Sequence, residues 1–323
     1  MKHSSRAHLA DLALIVVTLI WGLGFVVSKD LVTKLGPLSL VIYRFIVASI
    51  TMGLAFLLRA RRVSRRVFTS GLFLGFLLFL GFLFQTFGLR YTTASNAGFI
   101  TGMSVIMVPF LSMTVLRRPP STASIVGVFL AGIGLGLLVI KPGMSMVFRL
   151  GDILVFVCAV FFALHVVYVA KYAPYVDVDL LVVIQLLAVV AMSALTIGVV
   201  LALSNVFPEL GFAMGLVDGR IGFPQGAREW LGLLFLGALG TGGAFFIQNA
   251  SQRFTTPTHV AVIFSMEPVF AALFASLLLR EFLSLRGYIG AGLILIGTLA
   301  CELEGTGEKG ETKKTRDRGF HQG

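Results

Sequence analysis

The chain has 323 residues, of which 57% are hydrophobic and 13% are charged, and its formal net charge is +11. So few charges cannot cover a water-soluble domain of this size, so the composition excludes an ordinary soluble protein and indicates helices that face lipid. The two cysteines, Cys158 and Cys301, both lie in apolar segments, which argues against a disulfide framework.

Ten apolar segments of about 20 residues follow one another along the chain, and each is long enough for a membrane-spanning helix. They are too long for barrel strands and lack the in–out alternation that such strands need. The predicted helices cover residues 9–28, 38–58, 69–89, 97–116, 122–140, 151–171, 180–203, 230–249, 259–279 and 285–303. The sequence therefore predicts an all-α membrane protein with ten transmembrane helices.

The second half of the chain repeats the first. The tetrapeptide RYTT at residues 90–93 is matched by RFTT at 253–256, and Gly134 is matched by Gly297, each 163 positions later. A constant spacing across almost unbroken apolar sequence indicates a duplication rather than chance. Duplicated hydrophobic halves are a recurring plan of secondary transporters.

The first two helices of each half match at a shorter spacing, as Asp11 and Asp152 show, 141 positions apart. The difference between the two spacings predicts an insertion in the second half. The long connection at residues 204–229, rich in Gly and Pro, is the predicted place. The predicted repeats are then residues 9–140, with helices one to five, and residues 151–303, with helices six to ten.

The number of helices in each half predicts how the halves are oriented. Five is odd, so the second half starts on the opposite side of the membrane and is inverted relative to the first. Lys and Arg concentrate on the side of the N-terminus, with five arginines between positions 59 and 66, which places both termini in the cytoplasm. Topology thus explains much of the net charge, and nucleic acid is not a predicted partner. Residues 1–8 are predicted to form a short cytoplasmic tail, and residues 304–323 are predicted to form a disordered cytoplasmic tail.

Four short motifs stand out along the chain: Trp21-Gly22, Tyr43-Arg44-Phe45, Ala94-Ser95-Asn96-Ala97 and Met266-Glu267-Pro268-Val269-Phe270. Together they resemble the EamA-type family of the drug/metabolite transporter superfamily. The likeness covers both halves, essentially residues 9 to 303. It implies an inverted-repeat fold of ten helices around a central cavity, and transport of small metabolites such as amino acids or drugs, often outward. The first half departs from this pattern, because Ser104 stands where the second half has Glu267.

Glu267 and Arg44 are charged side chains inside predicted helices, where a charge is costly unless it is paired or functional. Glu267 is either a substrate or proton site, or a structural carboxylate that ties its helix to a neighbour. Pro268 after it is expected to free a backbone carbonyl and open the helix locally. Arg44 is expected to pair with Glu267 or Asp152, to extend to the membrane interface, or to bind a substrate carboxylate.

Other polar and aromatic side chains complete the candidate site. His165 and Tyr168 lie three positions apart on one helix face, and His165 is either a proton acceptor or a neutral histidine bonded to a neighbouring helix. Gln85 and Gln248 match between the halves and either line a cavity or bond helices together. The predicted substrate-binding set is Glu267, His165, Tyr168, Gln85, Gln248, Asn96, Trp21 and Arg44. For Trp21, simple packing is the other interpretation.

These observations predict a secondary transporter of small organic solutes, an exporter by its resemblance, working by alternating access, with proton coupling as a further hypothesis. The alternative is an intramembrane enzyme with an acid–base cluster around Glu267 and His165, but the sequence has no HExxH, CxxC or GxSxG motif. No cofactor and no metal site are predicted. The predicted setting is the bacterial inner membrane, with a small-molecule solute and the lipid bilayer as partners, as a monomer or homodimer.

Overall fold

The computed structural model describes residues 2–56, 63–117, 119–139, 150–204, 222–279 and 284–300. Within these ranges the regular structure is helical and no strand occurs. Eight helices are long and apolar enough to cross a membrane, and two shorter apolar helices accompany them. The prediction of an all-α membrane protein is confirmed at this level.

The helices occur in the following order along the chain. They are α1 (Lys2–Leu35), α2 (Pro37–Phe56), α3 (Arg65–Tyr91), α4 (Ala94–Gly102), α5 (Ser104–Leu116), α6 (Thr122–Val139), α7 (Leu150–Tyr172), α8 (Val178–Ser204), α9 (Ala227–Ser251), α10 (Pro257–Phe264), α11 (Glu267–Leu279) and α12 (Leu285–Ala300). Most of the predicted 204–229 insertion and the whole 304–323 tail lie outside the described residues.

The first helix extends well past its predicted end at residue 28. Lys29, one residue further, lies inside α1, and its Nζ donates hydrogen bonds to the carbonyl oxygens of Leu89 (2.6 Å) and Thr92 (2.7 Å). These carbonyls end α3 and have no partner inside that helix. Because these carbonyls bind its ammonium group, Lys29 can lie inside α1. Its charge was therefore a poor signal for the end of that helix.

Two predicted single helices are each divided near the middle of the membrane span. Met103 separates α4 from α5, and Ser265 with Met266 separates α10 from α11. Pro268 lacks an N–H, so it fits the first turn of α11, where no helical donor is needed. The expected local opening next to Pro268 is present, but the matching break at Met103 was not predicted because no proline adjoins it.

The two halves of the chain pack on each other in a reciprocal way. Helix α1, the first of its half, packs on α9, α10 and α11, while α7, the first of the other half, packs on α3, α4 and α5. Helix α2 packs on both α8 and α9. The interface between the halves therefore surrounds the middle of the molecule, where a central cavity is expected.

Repeated glycines allow α6 and α12 to approach closely. A Cβ built on Gly134 would lie 2.5 Å from the carbonyl oxygen of Gly290, and one on Gly297 would lie 2.8 Å from that of Gly127. The late glycine of each helix meets the early glycine of the other, so the two helices cross antiparallel. Only hydrogen fits at this distance, which is how small residues promote contact between membrane helices.

Replacing Gly134 with alanine is expected to destabilise the protein by about 1–3 kcal/mol, because the added methyl overlaps backbone atoms of α12. Unfolding of the purified protein in detergent measures this effect. Gly292→Ala on α12 is the matched control, since a Cβ there meets nothing within 4 Å. Equal destabilisation by both substitutions would contradict the proposed contact.

Candidate functional site

A cavity lies between the two halves of the chain, and the empty space within it and its opening together is about 970 Å³. Helices α1, α2, α3, α4, α7 and α9 form its wall, together with the end of α10 and the starts of α5 and α11. Of the eight predicted substrate-binding residues, the cavity is lined by Glu267, His165, Gln85, Gln248, Trp21 and Arg44. A mainly apolar pocket with a few polar groups is the usual form of a small-molecule site.

Tyr168 and Asn96 are placed away from this cavity. Three residues along a helix amount to about 300° of rotation, so Tyr168 is turned aside from His165, and its ring packs on Phe73 (4.8 Å between centroids) and Tyr172 (5.9 Å). Asn96 lies in the first turn of α4, where its backbone N–H donates to the hydroxyl of Thr93 at 3.1 Å. The sequence predicted that both residues bind substrate, but neither of them lines this cavity.

Arg44 binds α9 rather than a carboxylate. Its Nη2 donates to the carbonyl oxygen of Gly240 at 3.2 Å, its Nε donates to Thr241 Oγ1, and the guanidinium lies 4.6 Å from the centroid of the Phe82 ring. Within the described residues it has no ion pair with Glu267 or Asp152. Direct pairing, one of the predicted alternatives, is therefore not seen within 4 Å: neutral oxygens of α9 accept the hydrogen bonds of Arg44, and Glu267 interacts with its guanidinium through space.

Extension to the membrane interface is not seen either. Arg44 is 8% exposed, and the groups that surround its guanidinium belong to the protein. Asp152, the other predicted partner, accepts a hydrogen bond from Thr92 Oγ1 at 2.6 Å. Of the expectations for Arg44, contact with a substrate carboxylate is the one that the structure leaves in place.

The acceptors for Arg44 lie in a π-helical part of α9, Phe235–Gly243. Trp21 Nε1 donates to the Gly240 carbonyl at 2.8 Å, so this oxygen receives both an indole and a guanidinium. Thr241 Oγ1 donates to the carbonyl of Leu236 at 2.8 Å while it accepts from Arg44. π-Helical turns often occur at functional sites, and the dense glycines were the only sequence signal for this one.

Glu267 begins α11 directly after the break in the helix, and its side chain is partly exposed. It lines the cavity, and among the described residues its carboxylate forms no hydrogen bond and no ion pair. No hydrogen bond among the described residues ties it to a neighbouring helix, and its electrostatic interaction is with the guanidinium of Arg44 on α2. Glu267 and Arg44 therefore line the same cavity, with the carboxylate oxygens more than 4 Å from the guanidinium nitrogens.

The other predicted polar side chains of the wall are also hydrogen-bonded. His165 is hydrogen-bonded through Nε2 to Gln185 Oε1 on α8 at 3.0 Å. Gln85 Nε2 donates to Thr101 Oγ1 on α4 at 3.3 Å, so His165 and Gln85 both line the cavity and connect neighbouring helices. Gln248 Nε2 donates to Gln252 Oε1 at 3.1 Å, four residues along at the end of α9, so this bond does not connect helices.

The aromatic rings of the wall form pairs that correspond between the halves. Trp21 and Phe245 are 5.7 Å apart between centroids, and their counterparts, Phe162 and Phe82, are 5.2 Å apart. Phe82 and Phe245 are themselves 5.9 Å apart. These rings give the middle of the cavity an aromatic surface suited to a flat apolar group.

The lining of the cavity extends toward one end of the helices only. Its residues include Ser28, Leu40 and Leu89, all near the end of the bundle where α1 stops and α2 begins. Their counterparts in the other half are Val169, Leu181 and Gln252, which do not line the cavity. The cavity is therefore displaced toward one end of the two repeated halves.

A solved crystal structure shares this fold. It has a TM-score of 0.72 with 19% sequence identity, and the alignment covers 94% of this chain and 98% of the other. At this identity the likeness shows the fold alone.

Two relatives come from the archaeon Archaeoglobus fulgidus, and both are named as uncharacterized transporters. One is 34% identical over 294 residues, which is 91% of this chain and 86% of the relative. The other is 26% identical over 285 residues, or 86% of this chain and 91% of the relative.

The sequence model of the EamA-like transporter family matches the chain twice, at residues 8–140 and 149–301. With the apolar helices, this match supports a multi-pass integral membrane protein that acts as a transporter of small solutes. The match and the names of the relatives support a transporter without enzymatic activity, rather than the intramembrane enzyme considered as an alternative. The chain belongs to the EamA-like transporter family, within the drug/metabolite transporter superfamily.

Proposed function

We propose that this protein is a secondary transporter that moves small organic metabolites, such as amino acids or drugs, outward by alternating access around the central cavity. One observation carries the proposal: Glu267 and Arg44 line the same aromatic cavity without an ion pair between them. Two opposite charges that are separated inside a membrane protein leave room for a solute that has both charges.

A zwitterionic solute fits these two groups. A guanidinium has five N–H donors, and Arg44 uses one on Nε and one on Nη2 for α9, so donors remain for a carboxylate of the solute. The Glu267 carboxylate is an acceptor for an ammonium group. The rings of Trp21, Phe82 and Phe245 favour an apolar or aromatic side chain between the charged ends.

Ten membrane spans in two inverted repeats, residues 9–140 and 151–303, are part of the proposal. The antiparallel crossing of α6 and α12 supports inversion, because each is the last helix of its half and the halves meet through equivalent glycines. The reciprocal packing of α1 and α7 on the other half gives the same support. Inverted repeats with a site at their interface are the usual basis of alternating access.

The proposed setting is the bacterial inner membrane with both termini in the cytoplasm, as a monomer or a homodimer. The positive-inside distribution supports this orientation. The open end of the cavity then faces outward, because α1 starts inside and its far end lies near Ser28. Proton coupling through Glu267 or His165 belongs to the same proposal.

Glu267→Gln is expected to reduce transport of labelled amino acids into or out of proteoliposomes by about tenfold or more. About 1.4 kcal/mol of lost binding accounts for tenfold. The variant should fold normally, because Glu267 makes no hydrogen bond and no salt bridge within 4 Å among the described residues. Asp30→Asn, which removes a carboxylate from a surface ion pair, should transport normally.

Absence of flux for a broad panel of amino acids and drugs would contradict the proposal. Transport measured under imposed pH gradients tests the proposed proton coupling.

Access to the cavity is expected to differ between two equivalent positions. In a background without Cys158 and Cys301, Ser28→Cys should react with a membrane-impermeant thiol reagent, whereas Val169→Cys should not. Addition of a transported solute is expected to slow the reaction of Ser28→Cys. Protection of Ser28→Cys together with labelling of Val169→Cys would place the opening at the other end.

Inversion of the halves is tested at another equivalent pair in the same background. Arg90→Cys should be labelled only from outside the membrane, and Arg253→Cys, 163 positions later, only from inside. The two residues occupy the same place in their repeats, so each is the control for the other. Labelling of both from one side would show that the halves are parallel.

A further inference from the structure

Three buried side chains connect the cavity wall to the backbone of α9. His165 Nε2 is bonded to Gln185 Oε1 (3.0 Å), Gln185 Nε2 to Asn249 Oδ1 (3.4 Å), and Asn249 Nδ2 to the carbonyl oxygen of Phe245 (2.7 Å). Gln185 and Asn249 are 0% exposed, and neither lines the cavity. The chain of hydrogen bonds joins α7, α8 and α9 and ends at a group that can only accept.

That last acceptor fixes the direction of every bond in the chain. The Phe245 carbonyl cannot donate, so Asn249 must turn its NH₂ toward it and its Oδ1 toward Gln185. Gln185 must then donate through Nε2 and present Oε1 to His165. Oε1 cannot donate either, so the proton is on Nε2 of His165. Turning either amide around would bring two acceptors, or two donors, together in a buried place.

A second chain of hydrogen bonds has the same direction. Gln252 Nε2 donates to the carbonyl oxygen of Val166 at 2.8 Å, so its Oε1 accepts from Gln248 Nε2 at 3.1 Å. Gln248 lines the cavity and is 1% exposed, and its own Oε1 is buried with no hydrogen-bond partner in the described chain. A buried acceptor without a donor is unfavourable, and it indicates that something absent from the protein supplies one.

Neither chain of hydrogen bonds exists in the first half. The counterparts of His165, Gln185, Asn249 and Gln252 are Gly24, Arg44, Thr86 and Leu89. These amides occur in one half only, which associates them with what the cavity binds rather than with the fold that both halves share.

We propose that Gln185, Asn249 and Gln252 are positioning residues that make one side of the cavity a pure acceptor surface. They leave Nδ1 of His165 and Oε1 of Gln248 without a hydrogen bond from the described residues, on the wall of the cavity that Glu267 also lines. The group of the solute that binds there carries N–H donors, as a protonated amine does. This inference rests on the proposed transport function and adds which end of the solute faces the second half.

The tautomer of His165 is a direct test that needs no transported solute. In the full-length protein with ¹⁵N-labelled histidine, and with His165→Gln to assign the signal, neutral His165 is expected to hold its proton only on Nε2. Gln185→Leu removes the acceptor, so both tautomers should appear. Gln85→Leu removes another amide of the wall and should leave the tautomer of His165 unchanged. A proton on Nδ1 in the native protein, or no effect of Gln185→Leu, would overturn the proposal.

Binding of two simple compounds tests the acceptor surface itself. 2-Phenylethylamine has the ammonium group without a carboxylate, and 3-phenylpropionate has the carboxylate without an ammonium. We expect Asn249→Thr and Gln252→Leu, which place first-half residues at their equivalent positions, to weaken amine binding by about tenfold and acid binding by less than twofold, as measured by equilibrium binding to the purified protein.

Both variants carry residues that the first half already has at the equivalent positions, so we expect them to fold. Their unfolding temperatures, compared with that of the native protein, check this expectation. Equal weakening of both compounds, or weakening of the acid alone, would contradict the inference. A protein that transports solutes of the panel but does not bind the amine would overturn this inference while the transport function stands. Absence of flux, with His165 protonated only on Nε2, would instead remove the transport function.

Discussion

The position of Arg44 in the middle of a membrane bundle is the constraint on which the site depends. A buried guanidinium requires acceptors from the protein, because neither lipid nor bulk water supplies them. The π-helical part of α9 provides the Gly240 carbonyl and the Thr241 hydroxyl. Since α9 accepts the hydrogen bonds of Arg44, Glu267 interacts with the guanidinium through space and not in a salt bridge within 4 Å. In the proposed mechanism this separation leaves both charges available to a solute, which a direct ion pair would prevent.

Duplication explains the shape of the cavity, and divergence explains its chemistry. Two equal half-sites around a central axis would place like groups next to each other, and two guanidiniums or two carboxylates would repel strongly at low dielectric. The chain avoids this at matched positions. Arg44 corresponds to Gln185, and Ser104 corresponds to Glu267. One half thus contributes the cation and the other contributes the anion with the acceptors, so that a dipolar solute has one preferred orientation.

Hydropathy and the repeat spacing predicted the helices and the correspondence between halves, because both depend on composition along the chain. They also placed Glu267, His165 and Gln248 inside spans, and these residues line the cavity. The partners of Arg44 were missed because π-helical winding leaves no hydropathy signal. Tyr168 was predicted to share the cavity face of His165. A rotation of about 60° around the helix axis separates the two side chains, and the neighbouring helices determine which of them faces the cavity.

The second chain of hydrogen bonds reaches beyond the end of the cavity, to Gln252. Gln252 is the counterpart of Leu89, which lines the cavity, so in the proposed alternating access an inward-open state would loosen the packing around Gln252 and Val169. Loosening would break the bond from Gln252 to the Val166 carbonyl, which also sets the orientation of Gln248. Opening the inner end would therefore release the amide that holds the acceptor in place. In this scheme, the affinity for the N–H group of the solute is coupled to the side from which the cavity is open, without any contact between the solute and the inner gate.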